Sequence, residues 1–128
     1  MTDNINMVMP TRFKRDRWPF RWYEISFMFQ FIAANKIRVN SGSLWYLHGE
    51  GRKTAVETEV TLTGTTEYVY VAHQYNTSTP TIQHSYSVPS APTGWGYYPL
   101  YQFEQKGPTW GIAQVMHIGD FYFDAVAR

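Results

Sequence analysis

With 128 residues and no cysteine, the chain is long enough to bury a core without cross-links, and disulfide scaffolds, thiolate metal sites and cysteine nucleophiles are excluded together. Charged residues make up 16% and nearly cancel to a net of +1, while aromatic residues reach 18%. That balance argues against a surface adapted to nucleic acid or lipid, and the aromatic excess suits pleated sheets and contact surfaces.

The charge is unevenly placed. Residues 1–21 carry five basic and two acidic side chains, against six and eight in the remainder. Residues 1–20 therefore read as a basic, extended N-terminal arm in front of a single β-rich domain over 21–128. The opening "MTDNINMVMP" holds an acidic residue and no apolar run, unlike a secretory signal. Within the arm, Arg12, Phe13, Arg15, Arg17, Trp18 and Phe20 interleave charge with aromatic surface, and Pro19 favours an extended path. Such a segment can stack on single-stranded nucleic acid or lie across a neighbouring subunit. No basic surface elsewhere continues a nucleic-acid track, which favours docking.

"RWYEISFMFQF", residues 21–31, puts Tyr23, Ile25, Phe27, Phe29 and Phe31 on one side. Trp22 and Met28 make the other side partly apolar. The alternation predicts one long strand whose second face meets a partner. At about ten residues, "ISFMFQFIAA" is too short to span a bilayer. "KIRVN" is the next strand, Ser41-Gly42 turns the chain into "SLWYLH", and "HGEGRK" reads as a loop. "VETEVTLTGTTEYVYVAH" predicts a hairpin about Gly64, with Val56, Val60 and Leu62 sharing one face. "TIQHSYSV" predicts a strand with Ile82, His84, Tyr86 and Val88 on one face. "PSAPTGWGYYP" holds three prolines and two glycines, which predicts a loop unable to pair as a central strand. "LYQFEQ", a "KGPTWG" turn and the stretch after it close a second hairpin. No segment keeps helical spacing for three turns. The expected architecture is an all-β antiparallel sandwich or barrel.

Candidate chemistry is sparse. "QVMHIGDFYF" places His117 three residues before Asp120, and residues three apart on an unbroken strand point to opposite faces. They converge only if Gly119 resets the parity in a bulge; the expectation is a packed histidine and an aspartate bonding a turn or a neighbouring chain. "HGE" at His48–Glu50 matches half of a zinc deaminase signature, whose other half needs cysteines. His73 and His84 flank a loop on adjacent strands and read as a cross-strand pair, a poor zinc site without a carboxylate. No nucleophile elbow, phosphate loop or paired-histidine helix is present, so neither a catalytic site, a metal nor a cofactor is nominated. Trp45, Tyr46, Trp95, Tyr97, Tyr98 and Trp110 are candidates for a glycan or partner surface, because flat aromatic faces serve both.

From "KIRVNSG" onward, the order "VTLTGTTEYVYV", "TIQHSYSVPS" and "YYPLYQFEQKGPTW…QVMHIGDFYF" resembles small β-rich virion proteins of tailed bacteriophages, over roughly residues 37–124. The resemblance is a pattern of strands and turns. It implies a non-enzymatic fibre, spike, decoration or adaptor subunit, commonly a homotrimer, assembled in bacterial cytoplasm and resident in the virion. Its implied partners are copies of itself and other virion proteins. In that setting Trp22, Met28 and the arm residues supply assembly contacts, and the competing reading is a carbohydrate- or receptor-binding module working through the aromatic loop.

Overall fold

The computed structural model describes residues 25–77 and 79–123. Ten strands follow in order: β1 (Phe29–Ala33), β2 (Lys36–Val39), β3 (Gly42–Tyr46), β4 (Gly51–Ala55), β5 (Thr58–Thr61), β6 (Thr66–Gln74), β7 (Thr81–Ser85), β8 (Trp95–Lys106), β9 (Thr109–Val115) and β10 (Phe121–Phe123), with no helix among the described residues. They form three sheets ordered β1-β2-β5, β10-β3-β4 and β7-β6-β8-β9. Among the described residues every pairing is antiparallel except that of β10 with β3. The expected all-β sandwich is what forms.

Both three-stranded sheets lie against one face of the four-stranded sheet. Phe29 packs edge-on to Tyr101 and Phe103, and Tyr46 and Phe123 meet His73 and Tyr98. Strand parity puts Ile37, Val39, Val60, Val69, Val71 and Phe103 into this layer, each no more than 1% exposed. Burying one such side chain contributes about 1.5–3 kcal/mol, so the shared interior is the main source of stability.

Several boundaries differ from those read in the sequence. Residues 21–31 do not make one strand. Within the described part, Ile25–Met28 is a turn closed by Met28 N donating to the Ile25 carbonyl at 3.3 Å, and β1 starts only at Phe29. Phe27 sits in this turn at φ 60°, fully buried, with its carbonyl accepting from the Tyr101 hydroxyl. Its ring lies where a Cβ on residue 42 would stand, at 2.4 Å, so Gly42 is needed to admit it. Alternation cannot reveal a buried phenylalanine held in a turn. The two-faced assembly strand inferred from residues 21–31 is therefore not formed; Met28 is half-buried beside the turn, and Trp22 with the arm residues lies outside the described residues.

"HGEGRK" is not all loop, because Gly51–Ala55 returns along β3 as β4. The pair about Gly64 is a crossing between layers and not a hairpin: β5 pairs with β2, whereas β6 pairs with β7 and β8. A hairpin and a crossing have the same alternation, and the buried Glu67 carboxylate favours the crossing by accepting from Thr63 N at 3.2 Å and Thr63 Oγ1 at 2.7 Å. Val56, expected inward, is 64% exposed. Strand β7 ends at Ser85, leaving Tyr86 and Val88 on the surface.

The largest correction concerns "PSAPTGWGYYP". Trp95–Pro99 belongs to β8, a twelve-residue strand at the centre of its sheet. Proline is tolerated there because the register slips opposite Val69 and Tyr70, so that Leu100 is an extra residue next to Pro99. Strands β7 and β8 both flank β6, so the connection through residues 86–94 must pass over it. Its Val88 and Pro89 stand beside Tyr68 and Tyr70 on the outer face, where Tyr70, packed on Tyr97, is only 6% exposed.

Candidate functional site

His117 meets Asp120 through the backbone, its Nε2 lying 3.2 Å from the Asp120 carbonyl, while the Asp120 carboxylate is engaged elsewhere. Gly119, at φ +99°, breaks the strand between β9 and β10. His117 stacks on Phe121 with ring centroids 3.7 Å apart and turns Nε2 toward the Gly119 carbonyl at 2.7 Å. Asp120 points to β3, where its two carboxylate oxygens accept from Ser43 N and Trp45 Nε1, each at 2.9 Å. Burial opposes its ionisation, but hydrogen bonds from Ser26, Trp45 and Ser43 and the nearby Arg52 charge outweigh that and hold its carboxyl below the ordinary value. This aspartate fastens β10 to β3 within one chain. It is not half of a catalytic pair.

His73 and His84 do not meet either. His84 Nδ1 bonds Glu67 Oε1 at 2.9 Å. His73 is fully buried, and its Nε2 faces the Thr77 carbonyl at 3.3 Å and Glu50 Oε1 at 3.6 Å. A carbonyl oxygen only accepts, so Nε2 carries the proton and Nδ1 accepts from the Tyr46 hydroxyl at 2.8 Å. The Tyr98 hydroxyl lies 3.2 Å from that of Tyr46 and 3.4 Å from that of Tyr75, and burial together with these neighbours pushes its pKa far up. A carboxylate, an imidazole and a hydroxyl in series have the order of a nucleophilic triad. Here Tyr46 is 2% exposed and its hydroxyl is already engaged by His73 and Tyr98. The chain ties the two layers together. Sequence reading missed it because its members come from four separate segments, although inward parity at Tyr46 and His73 was a usable signal. Among the described residues no three His, Cys, Asp or Glu side chains converge on a metal position.

The six aromatic candidates do not share a surface. Tyr46 and Tyr98 are interior, and Trp110 packs half-buried against the core. Trp45 lies on the outer face of its sheet under the Arg52 guanidinium at 5.1 Å, with the Tyr122 ring parallel to it. Trp95 packs edge-on to Tyr97.

Two other surfaces stand out. The first is a groove of about 410 Å³ on the outer face of the four-stranded sheet, lined by Tyr68 and Tyr70 of β6, Tyr97, Pro99 and Gln102 of β8, Gln114 and Met116 at the end of β9, and a wall of Val88 and Pro89. Its lining carries no charge. Tyr68, Gln102 and Gln114 are direct register partners across three strands, so they form one row with steps of about 4.8 Å. Tyr97 is braced by Tyr70, whose ring centroid is 4.7 Å away. Burial first, and then the Tyr97 hydroxyl, raises the pKa of Tyr70.

The second surface is the flank where β1 and β9, each the edge of its sheet among the described residues, lie on the same side of the sandwich. Phe31 packs on Phe103, which is the register partner of Ile112. Phe31, Ile112 and Val115 all point to the interior side, yet are 38%, 40% and 49% exposed. Neither edge strand contains a charged residue or a proline, the usual guards against pairing with another strand. A bulge beside Ala113 twists β9 without closing it.

Compared with known proteins, the chain matches no family model, no curated protein and no solved structure. Over the described residues, the fold is an all-β sandwich with an apolar flank between two edge strands and an uncharged groove.

Proposed function

We propose that the protein is a non-enzymatic structural subunit that assembles with copies of itself, as a fibre, spike, decoration or adaptor component of a tailed-bacteriophage particle. The open flank carries the reading. Interior-facing apolar side chains between two unguarded edges are what a subunit leaves for its neighbour, whereas a monomer tends to cover or charge such edges. A homotrimer in the virion is the form that the strand-and-turn resemblance of residues 37–124 implies, and the basic arm over 1–20 then supplies a further attachment to copies or to other virion proteins.

Light scattering on full-length protein at tens of micromolar tests this. The expected result is a discrete oligomer that Ile112→Lys or Val115→Lys dissociates while circular dichroism stays β-rich. Removal of residues 1–20 should leave the oligomer of the β-domain intact and weaken incorporation into particles. A monomeric full-length chain, unchanged by either lysine, rules the assembly out.

A further inference from the structure

We infer that the groove between Tyr68, Tyr97, Gln102 and Gln114 is a binding site for the neutral pyranose rings of a glycan. It occupies the outer face of the four-stranded sheet and reaches the β9 edge through Gln114, whereas Ile112 and Val115 of the flank point to the interior side, so sugar binding and self-assembly are read by separate measurements. Four observations lead to this ligand class.

The volume, about 410 Å³, falls in the range of small-ligand sites, roughly 300–1,000 Å³, and a row of three register partners contributes to its lining. Tyrosine rings at one end of that row and in the neighbouring one offer flat apolar faces of the kind that the C–H side of a sugar ring covers. Gln102 and Gln114 stand side by side, and no side-chain hydrogen bond joins either amide to another of the described residues. Each primary amide presents a donor and an acceptor in one plane, which matches a pair of adjacent hydroxyls that likewise donate and accept. Finally, the lining contains no Lys, Arg, Asp or Glu, so an anionic sugar, nucleotide or phosphate gains no partner there and would lose its hydration.

A proline-rich peptide is the rival for an aromatic groove. Its backbone carbonyls only accept, so they could engage the two amide NH2 groups but would leave the amide oxygens without donors. The hydroxyl-rich ligand uses both ends of each amide. Preorganisation also favours a rigid ring: Tyr97 is fixed by Tyr70, and the connection bearing Val88 and Pro89 already lies across the sheet, so little ordering is left for binding.

The test is nuclear magnetic resonance titration of the full chain with cellotriose, maltotriose and triacetylchitotriose, with 3′-sialyllactose and a proline decapeptide as the competing chemistries. At least one neutral trisaccharide should shift the Tyr68, Tyr97, Gln102 and Gln114 resonances together at millimolar concentration. Tyr68→Ala and the double variant Gln102→Ala/Gln114→Ala should each weaken that binding at least tenfold, while Arg38→Ala, on the opposite layer, leaves it unchanged. Circular dichroism checks that the variants are folded, and the wild-type titration decides the matter even where a variant is not. The inference is overturned if no neutral sugar shifts these residues at tens of millimolar. It is also overturned if a sugar binds with the variants unaffected, or if the peptide or the sialylated sugar occupies the groove more tightly.

Discussion

The outer face of the β1-β2-β5 sheet and the outer face of the β7-β6-β8-β9 sheet follow the same alternation, yet they present opposite chemistry. On the first, Lys36, Arg38, Glu57 and Glu59 form a ladder of ion pairs at 3.2–3.5 Å, and hydrogen bonds from Arg38 and then Lys36 lower the pKa of Glu59. On the second, tyrosines, amides and prolines line a groove without charge. Both faces cover the same interior, so folding does not require the difference. A solvated ladder is a sufficient outward face for a strand, and the departure from it marks where the surface has another task.

The comparison can be broken most severely from beneath. Phe103 touches Phe29 and Phe31 of one layer while belonging to the other. Phe103→Ala should therefore destabilise both faces together by about 3–5 kcal/mol, seen as coincident denaturant transitions by tyrosine fluorescence and far-ultraviolet circular dichroism. Separate transitions would show that the layers do not share one core.

Next in size is Asp120→Asn. It replaces one of the two oxygens that accept separately from Ser43 N and Trp45 Nε1 by an NH2 group that cannot accept, and should cost about 1–3 kcal/mol at neutral pH, without altering either outer face. The folded pKa of Asp120 lies below its ordinary 3.8, so its contribution is full above that value and is lost as pH falls through the lower, folded one. Wild type should lose this stability in that acid window, and the asparagine variant should have a flatter profile there, as denaturant midpoints between pH 2 and pH 6 will show.

Smaller still is Arg38→Ala. Its partners are exposed carboxylates, and such pairs contribute about 0–1 kcal/mol; the shift should shrink further in high salt. A change much larger than this would make the ladder structural and weaken the contrast. The smallest effect on stability should come from Gln102→Glu, within about 0.5 kcal/mol, because the residue points outward. Its value is diagnostic: stability stays, while a charge enters the otherwise uncharged groove.

Strand content was legible from alternation alone. Lys36–Val39, Thr58–Thr61, the middle of Thr66–Gln74 and the hairpin about Gly107 from Leu100 onward carry their parity openly, and Ile37, Val39, Val60 and Leu62, read as inward, are buried. Partners were not legible, because alternation states which face is inward and not which strand lies alongside; the crossing at Gly64 is the instance. Composition also misled at Trp95–Pro99, where a register slip absorbs a proline that reads as a strand breaker. Of the proposed surfaces, Tyr97 was visible as an aromatic candidate. Tyr68, Gln102 and Gln114 were not, since they become neighbours only through the register of three strands.

The parallel pairing of β10 with β3 has a consequence for the order of events in the cell. The bond from Ser43 to Asp120 joins residues 77 positions apart, and β3 has no second neighbour until β10 arrives. Contacts of such separation are slow to form because a long loop must close first. During synthesis, at about 5–20 residues per second, β3 and β4 therefore emerge seconds before the strand that covers their open side. In that interval Leu44 and Trp45 lie on a hairpin that β10 has not yet sealed, and a ribosome stalled before Asp120 would prolong the exposure of that edge.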